Sequence, residues 1–330
     1  MILALDVGGS KTLIGLFAQE SPRPRPVEAE SVVTLSADGL PELLRPFLDR
    51  HAGVTIDIVA LGVAGPILGD EATLTNVPWR VRKVDVAAAT GVDTVLLLND
   101  LEAMAHAVPV LAGDELHTLQ AGSAAKGGPA ALIAAGTGLG ESVLHWVDGR
   151  MVPVPSEAGH SDWAPRTDDD LAFFRHVRDR FARVDIERVL SGPGLVNLAA
   201  FTHGGPTCDL AGAFESDGHG AASVSAAGLA RTCPACTRAV QMFVEAYGAE
   251  AGNLALRGVA TRGVYLGGGI APKLLPALRD GAFLRAFADK APMSRLLSAI
   301  PVHVILNDRA GLLGAAVAAQ ARLDAGRSAS

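Results

Sequence analysis

The apolar run Thr94–Leu98 reads as a strand that delivers Asn99 and Asp100 to its C-terminal end, the place where open α/β sheets bind ligands. A carboxylate at such a point can accept a proton from a hydroxyl whose oxygen attacks phosphorus. The same residue type also caps helices, and a helix is expected from Leu101 onward. Ser156-Glu157-Ala158-Gly159-His160 sets a carboxylate and an imidazole around a glycine, an acceptor and donor set suited to orienting a ligand rich in hydroxyls. Glu187, ahead of Arg188-Val189-Leu190-Ser191-Gly192-Pro193-Gly194, offers a third anchor or a solvated helix charge. Asn76, before Val77-Pro78-Trp79, is a further polar candidate in a turn.

Two glycine turns accompany these residues. Asp6-Val7-Gly8-Gly9-Ser10-Lys11-Thr12 resembles a Walker loop but lacks its glycines: Ser10 precedes the lysine and Leu5 stands five positions before Ser10. The next residues, Leu13 to Phe17, have a strand pattern where a Walker loop needs a helix. Gly136-Thr137-Gly138-Leu139-Gly140 fails the dinucleotide fingerprint, because Glu141 occupies the last glycine position. Both turns interrupt a strand that then resumes as a strand. Glycine there admits close approach of backbone N–H groups to a ligand, so two such turns can hold a triphosphate from both sides. Asp6, at the rim of the first, is placed to reach a Mg²⁺ ion through water, with no side chain expected as a permanent direct metal ligand.

The elements that must position these groups alternate between strand and helix. Strands are expected at Ile56–Val63, Thr94–Leu98, Ala130–Ala135, Gly263–Leu266 and Val302–Leu306. Helices are expected from Leu40, at 168–183, 186–201, 221–231 and 237–257, and in the closing segment 311–322. Ser21–Pro26 reads as a loop. This is an α/β layer pattern, and 330 residues make two domains the natural expectation. The expected division is 1–110 plus 300–330 as a small domain and 111–299 as a large one carrying most of the ligand-orienting residues.

A composition of 49% hydrophobic and 19% charged residues supports a substantial core, and a formal net charge of -7 disfavours a nucleic-acid partner. Three cysteines, Cys208, Cys233 and Cys236, are too few for a disulfide framework. Cys233-Pro234-Ala235-Cys236 has the spacing of half a zinc site, but no second such pair exists, and His203 and His219 are distant in sequence. Packing at a helix start is the expectation. The opening Met1 to Asp6 has no leader-like pattern, and no apolar stretch is long enough to span a bilayer. A reduced, cytoplasmic protein with no membrane partner is expected.

The chain resembles bacterial glucokinases of the non-ROK type, within the superfamily whose ATPase core is shared by hexokinase and actin. The resemblance runs through DVGGSKT (6–12), TNVPW (75–79), LLLND (96–100), GTGLG (136–140), EAGHSDWAP (157–165), IERVLSGPGLVNLA (186–199), CPACTRA (233–239), GNLAL (252–256), GVYLGGGIAPK (263–273) and NDRAGLLGAA (307–316). The resemblance implies a two-domain, actin-like ATPase (ribonuclease H-like) fold with an interdomain cleft that closes on the sugar, usually in a homodimer. It implies glucose and MgATP as partners. Asp100 is then the base for the glucose 6-hydroxyl, and Asn76, Asn99, Glu157, His160 and Glu187 hold the sugar. Asp6, Val7, Gly8, Gly9 and Ser10 form one phosphate loop, Gly136, Thr137 and Gly138 the other, with Gly268 and Gly269 near the adenosine. Ser10-Lys11 departs from the Thr-Asn of many members, and Thr202–Ser225 matches poorly. A kinase of mannose, fructose or an N-acetylhexosamine is the alternative. A non-catalytic sugar-binding regulator would need a DNA-binding segment, for which Asp6 leaves no room ahead of it.

Overall fold

The computed structural model describes residues 1–74, 77–204 and 220–328. Asn76, Cys208 and His219 therefore lie outside the described residues. The chain groups into two units, one of Met1–Ala112, Met151–Pro155 and Asn307–Ser330, the other of Gly113–Arg150 and Ser156–Leu306.

In the first unit, β1 (Ile2–Val7), β2 (Lys11–Ala18), β3 (Arg25–Val33) and β4 (Ile58–Val63) precede a small antiparallel sheet of β5 (Ile67–Leu68), β6 (Glu71–Thr73) and β7 (Arg80–Arg82). With β8 (Val95–Asn99) the main sheet takes the order β3-β2-β1-β4-β8. β1 and β4 are near-continuous apolar runs, and each is buried along its length, as strands covered on both faces require. β1, β4 and β8 are parallel, and β2 runs antiparallel to β1. Val7 lies beside Val63 and Val63 beside Asn99, so the three carboxyl ends form one row.

The second unit repeats this plan with β9 (Leu116–Gln120), β10 (Ala130–Ala135) and β11 (Leu139–Val147). β12 (Arg150–Ser156) carries Met151–Pro155, which group with the first unit. β13 (Gly263–Gly267) and β14 (Val302–Ile305) complete the order β11-β10-β13-β14-β9. Again a hairpin with a glycine turn, β10–β11, is followed by parallel neighbours, β13 and β14. The helix Pro234–Gly258 covers this sheet, and its buried Tyr247 hydroxyl donates to the Ile133 carbonyl (3.2 Å). Gly248 and Gly252 let it approach the helix Ala282–Ala288, since a Cβ at either would meet the carbonyl of Phe283 or Phe287 at 2.2 or 2.5 Å.

Two expectations need correcting. The strand β3 follows the loop where none was expected; its edge position leaves it largely exposed and polar, so it lacks an alternating apolar signal. The helix expected over 186–201 spans Gly192–His203 instead, with Ser191 as its cap. Residues 186–191 form turns around Glu187, because the side chain of Ser191 accepts from Gly194 N–H (3.0 Å) and fixes the start there.

Candidate active site

In the first unit the site is built from the carboxyl ends of β1, β4 and β8. Asn99 caps the helix Asp100–Ala107, accepting from Leu101 N–H at 2.9 Å, and its amide donates to the Gly65 carbonyl at 3.4 Å. The cap is thus Asn99 and not Asp100. Asp100 occupies the first helical position and is half-buried. Gly62 permits this helix to lie close to β4, since a Cβ there would sit 2.7 Å from that of Ala103.

The turn after β1 is closed by Gly8 N–H donating to the Lys11 carbonyl (3.1 Å). Thr34 braces it from outside: its hydroxyl donates to the Gly8 carbonyl (2.7 Å) and its N–H to the Ser10 carbonyl (3.1 Å). Val7 is buried, with its carbonyl accepting from Ala64 N–H. The Asp6 carboxylate is wedged against the backbone of Gly311, where a Cβ would lie 2.6 Å from Oδ2. Burial and the neighbouring charge of Asp100 push its pKa from 3.8 up to about 6, and Lys11 offsets part of that rise. An acidic pair of this kind, all oxygen donors, fits a hard divalent cation.

A measurable consequence follows for the ligand-free protein. The folded state holds a proton on Asp6 that the unfolded chain has already lost between pH 3.8 and about 6, so this group removes stability as pH rises through that window. Asp6→Asn is expected to melt at the same temperature as wild type below about pH 4 and at a higher temperature above about pH 6. A difference independent of pH would refute the assignment.

In the second unit the turn after β10 is closed by Gly136 N–H donating to the Gly138 carbonyl (2.9 Å). Its Gly136 carbonyl accepts from Gly192 N–H (2.8 Å), so the start of the helix Gly192–His203 abuts the turn. Leu139 N–H donates to Oε2 of Glu187 (2.9 Å), and Gly138 leaves the room for that carboxylate. Glu187 N–H in turn donates to the Gly159 carbonyl (2.9 Å), and His160 N–H to the Glu157 carbonyl (3.1 Å). A Cβ on Gly159 would collide with the Leu139 carbonyl at 2.2 Å. Glycine is thus required for the Glu157–His160 segment to reach the turn. Thr137, Glu157 and His160 are exposed, and His160 Nδ1 lies 3.6 Å from Oδ2 of Asp185. Gly268, at φ +79°, packs on the Ala135 carbonyl, which also accepts from Ile270 N–H (3.2 Å), so the turn holding Gly268 and Gly269 adjoins the Gly136 turn.

The structure therefore gathers Asp6, Val7, Gly8, Gly9 and Ser10 with Asn99 and Asp100 in one unit. In the other it gathers Gly136, Thr137 and Gly138 with Glu157, His160, Glu187, Gly268 and Gly269. Sequence reasoning missed Thr34, Gly311 and Asp185. Asp185 stands two residues before Glu187, a nearness that could have drawn attention to it; nothing in the sequence marks Thr34 as a brace. The pairing of Glu187 with the glycine turn was equally invisible, since 48 residues separate Glu187 from Leu139.

Comparison with known proteins places these features in context. A sequence profile described as Glucokinase matches residues 3–322. A glucokinase of Chromobacterium violaceum is 38% identical, covering 94% of this chain and 87% of its own. One from Nostoc punctiforme is 34% identical, covering 97% of this chain and 98% of its own. The crystal structure of a glucokinase from an Antarctic psychrotroph superposes with a TM-score of 0.84 at 26% identity, covering 96% of this chain and 98% of that one.

Proposed function

The chain belongs to the glucokinase family, and from that premise we propose that it moves the γ-phosphoryl group of ATP to the 6-hydroxyl of glucose with Asp100 as base. It is an ATP-dependent hexose kinase of the actin-like ATPase fold. The observation that carries the assignment of the base is the division of labour between Asn99 and Asp100. Because Asn99 supplies the helix cap, Asp100 is left at the first turn of the helix, close enough to Asp6 at the first glycine turn for the two carboxylates to interact.

In the reaction, the Asp100 carboxylate takes the hydroxyl proton as the sugar oxygen attacks the γ-phosphorus. The bond from that phosphorus to its β-bridging oxygen breaks, and ADP leaves. Glu157, His160, Glu187 and Asn99 orient the remaining hydroxyls, and Asn76 joins them as an expected contact outside the described residues. The backbone N–H groups of the two glycine turns meet the phosphates. Asp6 would hold Mg²⁺ through a water; when bound, the ion neutralises phosphate charge as it shifts toward the leaving group. Asp6 is not the base in this reading, since Gly311 packs against its carboxylate.

Glu187 has two tasks in this scheme: Oε2 fixes the glycine turn and Oε1 meets the sugar. Glu187→Ala is therefore expected to raise KM for both glucose and ATP. A rise confined to ATP would reduce Glu187 to a brace of the turn.

Substrate choice is tested by steady-state turnover with MgATP against glucose, mannose, fructose and N-acetylglucosamine. The highest kcat/KM is expected with glucose. Preference for another of these sugars would keep the mechanism and replace the substrate. The same reading takes the protein as a cytoplasmic homodimer, checked by light scattering on the purified chain. No helix among the described residues is long and apolar enough to cross a membrane.

A further inference from the structure

We propose that His203, Cys233 and Cys236 form a structural zinc site, a feature independent of the kinase chemistry. The three residues come from different parts of the sequence: His203 ends the helix Gly192–His203, and Cys233 caps the helix Pro234–Gly258, with Cys236 in its first turn. All three are buried, and their ligand atoms lie within 4.8 Å of one another.

The spacing of the three ligand atoms approaches that of three corners of a tetrahedral site. Zinc bonds of about 2.3 Å to sulfur and 2.0–2.1 Å to nitrogen place neighbouring ligand atoms roughly 3.5–3.8 Å apart. His203 Nε2 lies 3.4 Å from Cys233 Sγ and 4.0 Å from Cys236 Sγ. The imidazole is also set in the tautomer a metal needs. Nδ1 lies 2.6 Å from the Ala199 carbonyl, which can only accept, so Nδ1 carries the proton and Nε2 turns its lone pair toward the two sulfurs. Orienting a ligand histidine through its other nitrogen is the usual outer arrangement of a zinc site.

Electrostatics and framework agree with this. Both sulfurs sit at the N-terminus of a 25-residue helix, and Cys236 N–H donates to Cys233 Sγ (3.4 Å). Loading zinc replaces the two thiol protons, which pass to solvent. The helix ends are held together without metal by the Thr202 hydroxyl, which donates to the Ala235 carbonyl (2.9 Å). The site is therefore largely preformed. A simple Cys233–Cys236 disulfide would give no reason for an oriented imidazole between the sulfurs. The sequence reading set metal binding aside because only one Cys-x-x-Cys pair exists; the third ligand stands 30 residues away and is brought in by the fold.

The consequence is mechanical. The helix that ends at His203 begins at Gly192, whose N–H holds the Gly136 carbonyl of the second glycine turn. Zinc at its far end would pin that helix to the long helix Pro234–Gly258.

The test uses the full chain purified without chelator from zinc-supplemented medium. Metal content measured by mass spectrometry is expected to be stoichiometric in wild type and lost in Cys233→Ser and His203→Gln. Should these variants fail to fold, wild type reloaded with Co²⁺ decides alone, because thiolate ligation gives an intense near-ultraviolet charge-transfer band. Removing the metal is expected to lower the melting temperature. Wild type without zinc and without the cobalt band, or zinc content unchanged in folded variants, would overturn the proposal. So would a Cys233–Cys236 disulfide found in the protein as purified under reducing conditions.

Discussion

Asp100→Asn is expected to lower kcat by roughly 10²–10⁴-fold, the usual worth of a positioned base, while the KM for glucose stays close to wild type. The asparagine keeps the size of the side chain and can still accept from Leu101 N–H, as Asp100 Oδ1 does at 2.9 Å. The helix cap is untouched because it belongs to Asn99. What is lost is the ability to take up a proton. Loss of kcat together with a large rise in KM would mean that Asp100 chiefly binds sugar. Turnover near wild type would remove it from the mechanism and turn attention to Asp6.

The second large effect concerns stability. Gly314→Ala is expected to destabilise the protein by at least about 1–3 kcal/mol, the range for forced overpacking. A Cβ there would lie 1.7 Å from the Ala103 carbonyl oxygen and 3.0 Å from Ala107 N–H nitrogen. These are backbone atoms, so no rotamer change relieves the overlap. The helix Ala310–Ser328 must move away from the helix Asp100–Ala107, and the second of these carries the base. Activity is expected to fall along with the melting temperature. Gly326→Ala on the same helix is the control: its Cβ meets nothing within 4 Å, and the substitution is expected to be stabilising by up to about 1 kcal/mol. Equal melting temperatures for Gly314→Ala and wild type would contradict the packing.

Gly311 and Gly314 show why some features were legible. The segment NDRAGLLGAA is distinctive in sequence, and the fold supplies its reason: Gly311 makes room for the Asp6 carboxylate and Gly314 for the backbone of Ala103. The glycine turns at Gly8-Gly9 and Gly136–Gly140 were readable because a strand, a glycine pair and a resumed strand form a local pattern. Their two hairpins do sit at the start of equivalent sheets. The end of the run Leu96–Asn99 was readable because an unbroken apolar run stops there at two polar residues, although the strand is a half-buried edge strand.

What stayed hidden depends on contacts between distant residues. Asp100 and Asn99 are both good caps by residue type, and only the backbone geometry assigns the role to Asn99. Thr34 reaches the first glycine turn because β3 lies beside β2, and β3 itself was illegible as a polar edge strand. Glu187 looked like a helix charge until the Ser191 cap moved the helix start beyond it. His203 meets Cys233 and Cys236 only because two helix ends converge.

The most direct test of the central claim is identification of the product. The protein is incubated with MgATP and glucose, and the phosphorus–proton and phosphorus–carbon couplings of the sugar phosphate are read by NMR. Coupling to C6 and its protons, with ADP formed in equal amount, is the predicted result. Phosphate on another carbon, or ADP released without any sugar phosphate, would contradict it.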